Sequence, residues 1–305
     1  MFTLAHLSDV HLGPLPRPRY TELIGKRMLG FINWQKRRQR YSRQFLDRLV
    51  ADLAASKPDH IAITGDLVNI SLPQEFVLAR AWLETVGPPD RVTVIPGNHD
   101  AYVRLRGQPG YRQWDDYMQP NWAAGALMPG AGDSFPFVRR FGDIALIGLS
   151  SARPTAPLMA SGRLGQRQLA ALGVLLESLR EEKLCRVVLV HHPPLPGMSP
   201  WTRGLHDARA MRSSLVLHGA ELVLHGHAHV DSVMTLPTAN GPVSVVGVAS
   251  ASSTFRGAGR IARYNLYTIE KTNPGWRIHL RSRMLGEDGL PVETDHGPLG
   301  SGPRS

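Results

Sequence analysis

The 305-residue chain contains one cysteine, Cys185, so no internal disulfide can form and a thiolate cage for a metal is excluded. Cys185 lies in the apolar run Cys185-Arg186-Val187-Val188-Leu189-Val190, where a buried strand thiol is its expected role. No apolar stretch reaches the roughly 20 residues that cross a bilayer. The opening Met1-Phe2-Thr3-Leu4-Ala5-His6 lacks the basic leader and apolar core of a secretory signal. The expected compartment is therefore the cytoplasm, with at most a peripheral hold on the inner face of a membrane. Acid is scarce in one place. Positions 14–44 carry nine Lys and Arg against the single acid Glu22, so the formal charge of +10 describes a local arm more than a basic protein. No internal repeat is present. The Gly-, Pro- and Ser-rich stretch 286–305 is expected to be a flexible tail behind one domain spanning 1–285.

What is present is ordinary for a globular chain: 42% apolar and 20% charged residues, enough to bury a substantial core. Short apolar runs at 2–7, 60–64, 91–95, 144–149, 186–190, 222–224 and 243–248 predict buried strands. Between them, Phe45, Leu46, Leu49, Val50 and Leu53 recur at helical spacing, as do Phe76, Ala79, Trp82, Leu83 and Val86. Leu169, Leu172, Leu175, Leu176 and Leu179 form a third such set. Strands alternating with helices predict an α/β protein. Segments 264–270 and 276–283, joined by Asn273-Pro274-Gly275, predict an antiparallel hairpin.

Five segments carry metal-binding side chains at the ends of these strands: Asp9-Val10-His11, Gly65-Asp66, Gly97-Asn98-His99-Asp100, His191-His192-Pro193 and Gly226-His227-Ala228-His229. Loops beyond strand C-termini are where open α/β sheets gather ligands, so segments far apart in sequence can converge on one rim. Carboxylate, amide and imidazole donors without sulfur suit Mn²⁺, Fe²⁺ or Zn²⁺, and the set is large enough for two ions. Each segment alone has a plainer use. Asp-x-His can be a helix cap and a loop histidine, Gly-Asn a turn, and two alternating histidines a polar strand end. It is the five together, in this order, that point to metal-assisted hydrolysis. His6 reads as a core histidine, and His192 and His225 stay outside the ligand set.

In this order the five segments resemble the five blocks of the calcineurin-like metallophosphoesterases, over roughly positions 4–230. The resemblance implies a four-layer α-β-β-α sandwich of two mixed sheets flanked by helices. It implies that Asp9, His11 and His229 hold one divalent ion, that Asn98, His191 and His227 hold a second, and that Asp66 bridges them. His99 would stabilise the phosphoryl oxygens or protonate the leaving oxygen, with Asp100 holding its other ring nitrogen and favouring the protonated form. The substrate would be a phosphate ester or a diphosphate, since two ions can clamp an attacking oxygen and a phosphoryl oxygen together.

The basic arm separates the alternatives within the resemblance. Asp9 and Asp66 are 57 positions apart, about 30 more than a single strand–helix–strand step needs. Tyr20, Leu23, Ile24, Met28, Phe31 and Trp34 fall on one helical face with Lys26 and Arg27 off it, although Gly25 and Gly30 weaken the helix. Such a face either packs on the enzyme's own body or lies on anionic lipid. Nucleic acid ranks last, because no recognisable nucleic-acid module is present. Enzymes of the family that cleave UDP-2,3-diacylglucosamine receive acyl chains on apolar and basic elements, and the arm favours a lipid-linked substrate of that type. A cyclic-nucleotide or glycerophosphodiester phosphodiesterase is the second expectation. A metal-bound scaffold without catalysis is the third, but it should show decayed ligand positions, and none is decayed here.

Overall fold

The computed structural model describes residues 1–105, 107–122, 134–255, 257, 259–286 and 289–300. Among them, twelve strands form two six-stranded mixed sheets. The strands are β1 (Phe2–Leu7), β2 (His60–Ile63), β3 (Val92–Val94), β4 (Phe137–Phe141), β5 (Ile144–Gly148) and β6 (Cys185–Leu189), then β7 (Leu222–His225), β8 (Ser232–Leu236), β9 (Val243–Gly247), β10 (Arg263–Lys271), β11 (Trp276–Leu285) and β12 (Pro291–Pro298). Five α-helices accompany them: α1 (Lys26–Arg37), α2 (Arg43–Ala55), α3 (Pro73–Val86), α4 (Gln166–Glu181) and α5 (Ala208–His218). The first sheet runs β12-β11-β10-β1-β2-β3 and the second β4-β5-β6-β7-β9-β8.

Strand pairing explains why the loops meet. β1, β2 and β3 are mutually parallel, and so are β5, β6, β7 and β9. All the parallel neighbours within a sheet therefore release their chains at the same edge. The period-2 alternation of the apolar runs then builds two cores. In β6, Val187 and Leu189 join the cluster that contains Leu4, Ile63 and Val94 of the other sheet. Val188 faces the opposite way, onto Leu172 and Leu176 of α4 and Met211 and Leu215 of α5. Each fully buried Leu, Val or Met contributes roughly 1.5–3 kcal/mol, and this is what holds sheet to sheet and helix to sheet. On the first sheet's side, α2 buries Leu46, Leu49 and Leu53. Asp52 of α2 accepts from Tyr264 Oη at 2.7 Å and pairs with Arg283 at 2.6 Å, which fixes it to β10 and β11. The layers run helix, sheet, sheet, helix.

Two expectations need correction. The end of the chain is not a free tail, because Pro291–Pro298 pairs antiparallel with β11, from Leu285↔Pro291 to His279↔Pro298. An exposed edge strand is held by its backbone ladder and so needs no apolar pattern, which is why Val292-Glu293-Thr294-Asp295 read as tail. Residues 287, 288 and 301–305 of that stretch lie outside the described residues. The arm, second, is not one continuous helix. Tyr20–Leu23 is a 3₁₀ turn, Gly25 breaks the helix with a φ of 75°, and α1 begins only at Lys26. Among the described residues no helix is long and apolar enough to cross a membrane.

Candidate metal centre

The loops after β1, β2, β3, β6 and β7 converge, and with them the residues singled out in the sequence. Their approach is close enough to exclude side chains. A Cβ on Gly226 would sit 2.4 Å from Asp9 Oδ2, and one on Gly97 only 2.2 Å from Asp66 Oδ1. Here the two glycines leave the space that the two carboxylates occupy. The backbone is also unusual. Of nine non-glycine residues with positive φ among those described, five are Asp9, His11, Asp66, His227 and His229, with φ between 43° and 65°. Left-handed backbone is costly for residues with a Cβ, and its concentration in one cluster is the kind of strain that functional sites retain.

Side-chain donors form three overlapping groups: Asp9 with His11 and His229, Asp66 with His191 and His227, and Asp66 again with His11 and His99. Asp66 is thus common to two groups. Its Oδ1 accepts from the His99 backbone N–H at 2.7 Å, while Oδ2 lies 3.4 Å from His191 Nε2 and 3.9 Å from His11 Nε2. Asn98 Oδ1 lies 2.7 Å from His227 Nδ1 and 3.1 Å from His191 Nε2. His11 Nε2 and His229 Nε2 face each other at 3.2 Å. Asp9 Oδ2 accepts from the His227 backbone N–H at 2.9 Å, and Asp9 Oδ1 lies 3.1 Å from His229 Nε2. Despite that short distance, Asp9 Oδ1 is buried without a hydrogen-bond partner. A buried carboxylate oxygen and an imidazole nitrogen side by side, yet not aligned on each other, converge on a shared point, as ligands of a cation do.

Electrostatics agree with that reading. Burial lowers the pKa of His11 and of His227 to about 3, assisted by His99 beside the first and His191 beside the second. Both rings are therefore neutral, as metal ligation requires. Burial opposes ionisation of Asp9 and Asp66, but the surrounding histidines outweigh it and hold both below the ordinary carboxylate range. At His191 burial would depress the pKa, yet Asp66 and Asp9 raise it to about 9. The donor set favours positive charge at that spot. The residues thus fit two divalent cations, and Asp9, His11, Asp66, Asn98, His191, His227 and His229 are all brought together.

His99 and Asp100 divide their work differently from the expectation. Asp100 does not hold the imidazole. It is buried and accepts from the backbone N–H groups of Gly97, Asp66, Leu67 and Val68 at 2.8, 2.8, 2.9 and 3.2 Å. Those four donors would otherwise be unsatisfied in a tight buried loop, and they claim both carboxylate oxygens. Burial, followed by repulsion from Asp66, lifts the Asp100 pKa to about 7. The Asn69 carbonyl takes His99 Nδ1 instead, leaving Nε2 as the ring's free nitrogen. His192, set aside in the sequence, has both ring nitrogens engaged, Nδ1 with Ser151 Oγ at 2.7 Å and Nε2 with Ala160 O at 3.0 Å. It serves as a wall, its ring tilted against that of His227 with centroids 4.3 Å apart. His6 bonds Thr64 Oγ1 at 2.9 Å inside the core. Tyr41 escaped notice. Its ring lies 4.7 Å from that of His11 and 6.1 Å from that of His229, and burial, with Asp9 and Asp66 nearby, pushes its hydroxyl pKa up to about 12. No motif surrounds Tyr41; only its place at the C-terminal end of the basic arm hinted at the site.

Comparison with known proteins is consistent with this geometry. The sequence model described as calcineurin-like phosphoesterase matches residues 2–231. A probable cyclic nucleotide phosphodiesterase from Synechococcus is 28% identical over 184 residues. That alignment takes in 58% of this chain and 60% of the relative, so the chain spans less than two thirds of that protein's length. Among solved structures, a dimetal phosphatase from Danio rerio superposes with a TM-score of 0.64 at 14% identity, covering 97% of this chain and 99% of that one. A purple acid phosphatase from yellow lupin, Lupinus luteus, gives 0.58 at 12% identity, covering 96% of this chain and 52% of that one. At such identities these structures speak for the fold.

Proposed function

The chain belongs to the calcineurin-like phosphoesterase family, and we propose that it hydrolyses a small phosphodiester, a cyclic nucleotide being the leading candidate, at a centre of two divalent ions. The observation that carries this reading is that Asp66 belongs to two of the three donor groups, one with His191 and His227 and one with His11 and His99. Asp9, His11 and His229 would hold one ion, Asn98, His191 and His227 the other, and Asp66 both. Mn²⁺, Fe²⁺ and Zn²⁺ all suit these donors. The ions would supply Lewis-acid charge toward a phosphoryl group and lower the pKa of water. The chain's own residues do the rest. Asp100 fixes the loop that presents Asp66, and the Asn69 carbonyl sets the tautomer of His99. His99 Nε2 then meets the ester, where a protonated ring would donate to the leaving oxygen. The name carried by the Synechococcus relative supports a cyclic nucleotide over other diesters.

A lipid-linked diphosphate is the second reading, and the arm both weakens and supports it. Phe31 and Trp34, the aromatics of the arm's apolar face, instead pack on Leu15 and Leu23 of the arm itself and on Ile70 and Leu72 of the body. Tyr20 and Ile24 remain 94% and 77% exposed, however, with Met28, Leu29 and Ile32 partly so, beside the run Lys36-Arg37-Arg38. A panel of cyclic AMP, a glycerophosphodiester, UDP-diacylglucosamine and a phosphomonoester, run with Mn²⁺, tests both. Turnover of cyclic AMP well above the others is expected, and turnover confined to the phosphomonoester would overturn the diesterase reading.

A further inference from the structure

Helix α1 of the arm grips the two segments that flank His99. Arg27 donates from Nη2 to the Ser71 carbonyl and from Nε to the Ile70 carbonyl at 3.3 Å. These follow directly on Asn69, whose carbonyl accepts His99 Nδ1. Ser71 Oγ donates to the His99 carbonyl at 2.7 Å and accepts from Tyr102 N–H at 3.1 Å. The Tyr102 ring in turn stacks on His99, with centroids 5.6 Å apart and planes 15° off parallel. Lys26 reaches the same tyrosine. Its ammonium stands 4.2 Å from the Tyr102 centroid and donates to Thr155 Oγ1 at 2.7 Å and to the Met159 carbonyl at 3.2 Å. One turn along, Gly30 lets the helix touch down. A Cβ there would lie 2.7 Å from Tyr102 Oη and 2.8 Å from Ile70 Cγ2.

Residues 26, 27 and 30 share one face of α1, and that face is turned to the body. Basic side chains serving only to attract a polyanion would hold their charges in water. Lys26 and Arg27 are instead partly desolvated, enough that burial lowers the pKa of each, that of Lys26 to about 8. A charged donor meeting a backbone carbonyl makes one of the stronger hydrogen bonds available. We propose that Arg27, assisted by Lys26, is a positioning residue for His99, acting through segment 69–72 and Tyr102 to hold its Nε2 toward the substrate. The basic arm is on this account part of the proton-handling apparatus, whatever its outer surface does.

The inference rests on the role given above to His99, and a double-mutant cycle separates the two. The probes are diphenyl phosphate and bis(p-nitrophenyl) phosphate with Mn²⁺-loaded protein. Arg27→Met should lower kcat on diphenyl phosphate on the order of 10- to 100-fold, with KM and metal content little changed. The loss should be smaller on bis(p-nitrophenyl) phosphate, whose leaving group hardly needs a proton, and Arg27→Lys should recover part of it. In a His99→Ala background, Arg27→Met should change kcat by less than about 2-fold. Equal losses in both backgrounds would overturn the positioning role while leaving His99 in place. If His99→Ala alone left kcat untouched, the role of His99 itself would fail. Should Arg27→Met not fold, Lys26→Met carries the same cycle, with a smaller loss expected on the same leaving-group pattern and additivity again contradicting the proposal.

Discussion

At the residue scale, four neighbours in one tetrapeptide sit in four different surroundings. Gly97 makes room, Asn98 faces two histidines, His99 keeps Nε2 free while Nδ1 meets the Asn69 carbonyl, and Asp100 holds the loop. His99→Ala should therefore leave metal content nearly intact while cutting kcat by roughly 10²–10⁴-fold on a substrate with a poor leaving group. Equal loss on good and poor leaving groups would assign it to electrostatic stabilisation instead. Asp100→Asn should behave differently, because an amide cannot match a carboxylate as acceptor for four N–H groups. A loss of about 1–3 kcal/mol in urea unfolding is expected, and an unchanged midpoint would contradict the loop-holding role. The residues that converge at the site were legible in the sequence because motif residues must sit at fixed offsets from strand ends. The partners of His99 were not. A backbone carbonyl such as that of Asn69 leaves no trace in residue type, and Tyr41 arrives from a segment with no fixed spacing to any strand.

At the element scale, legibility followed burial. Strands that bury both faces, such as β5 and the Leu222–Leu224 part of β7, stand out as unbroken apolar runs. β4 hides because two of its five residues are arginines, and Arg139 is buried through bonds to the carbonyls of Val92 at 2.7 Å and Pro89 at 2.5 Å. β8 is an edge strand with exposed residues, and α5 buries only Ala208, Met211 and Leu215. The arm divides in the same way. Trp34 and Phe31 face the body, so Trp34→Ala should cost about 1–3 kcal/mol of stability, whereas Ile32→Ser should stay within about 0.5 kcal/mol. The reverse order would mean that the aromatics face outward. If the exposed side meets anionic lipid, Ile24, Met28 and Ile32 changed together to Ser should weaken vesicle binding. That binding should fade as salt rises.

At the scale of the whole molecule, two mixed sheets bring loops from five strands to one edge, and no single segment of the chain holds a complete donor group. Asp9 and His229 are 220 positions apart and yet 3.1 Å from each other. Cations bound there would tie the first sheet to the second, so chelation should lower the unfolding midpoint and added Mn²⁺ should raise it again with the logarithm of its concentration. The central claim is that Asp66 serves two ions at once, and metal content per chain tests it most directly. The native protein should hold about two divalent ions, and His229→Ala, which touches one donor group, about one. Asp66→Ala should reduce occupancy at both sites. Retention of one ion at full occupancy in Asp66→Ala, or of only one ion in the native protein, would contradict the account.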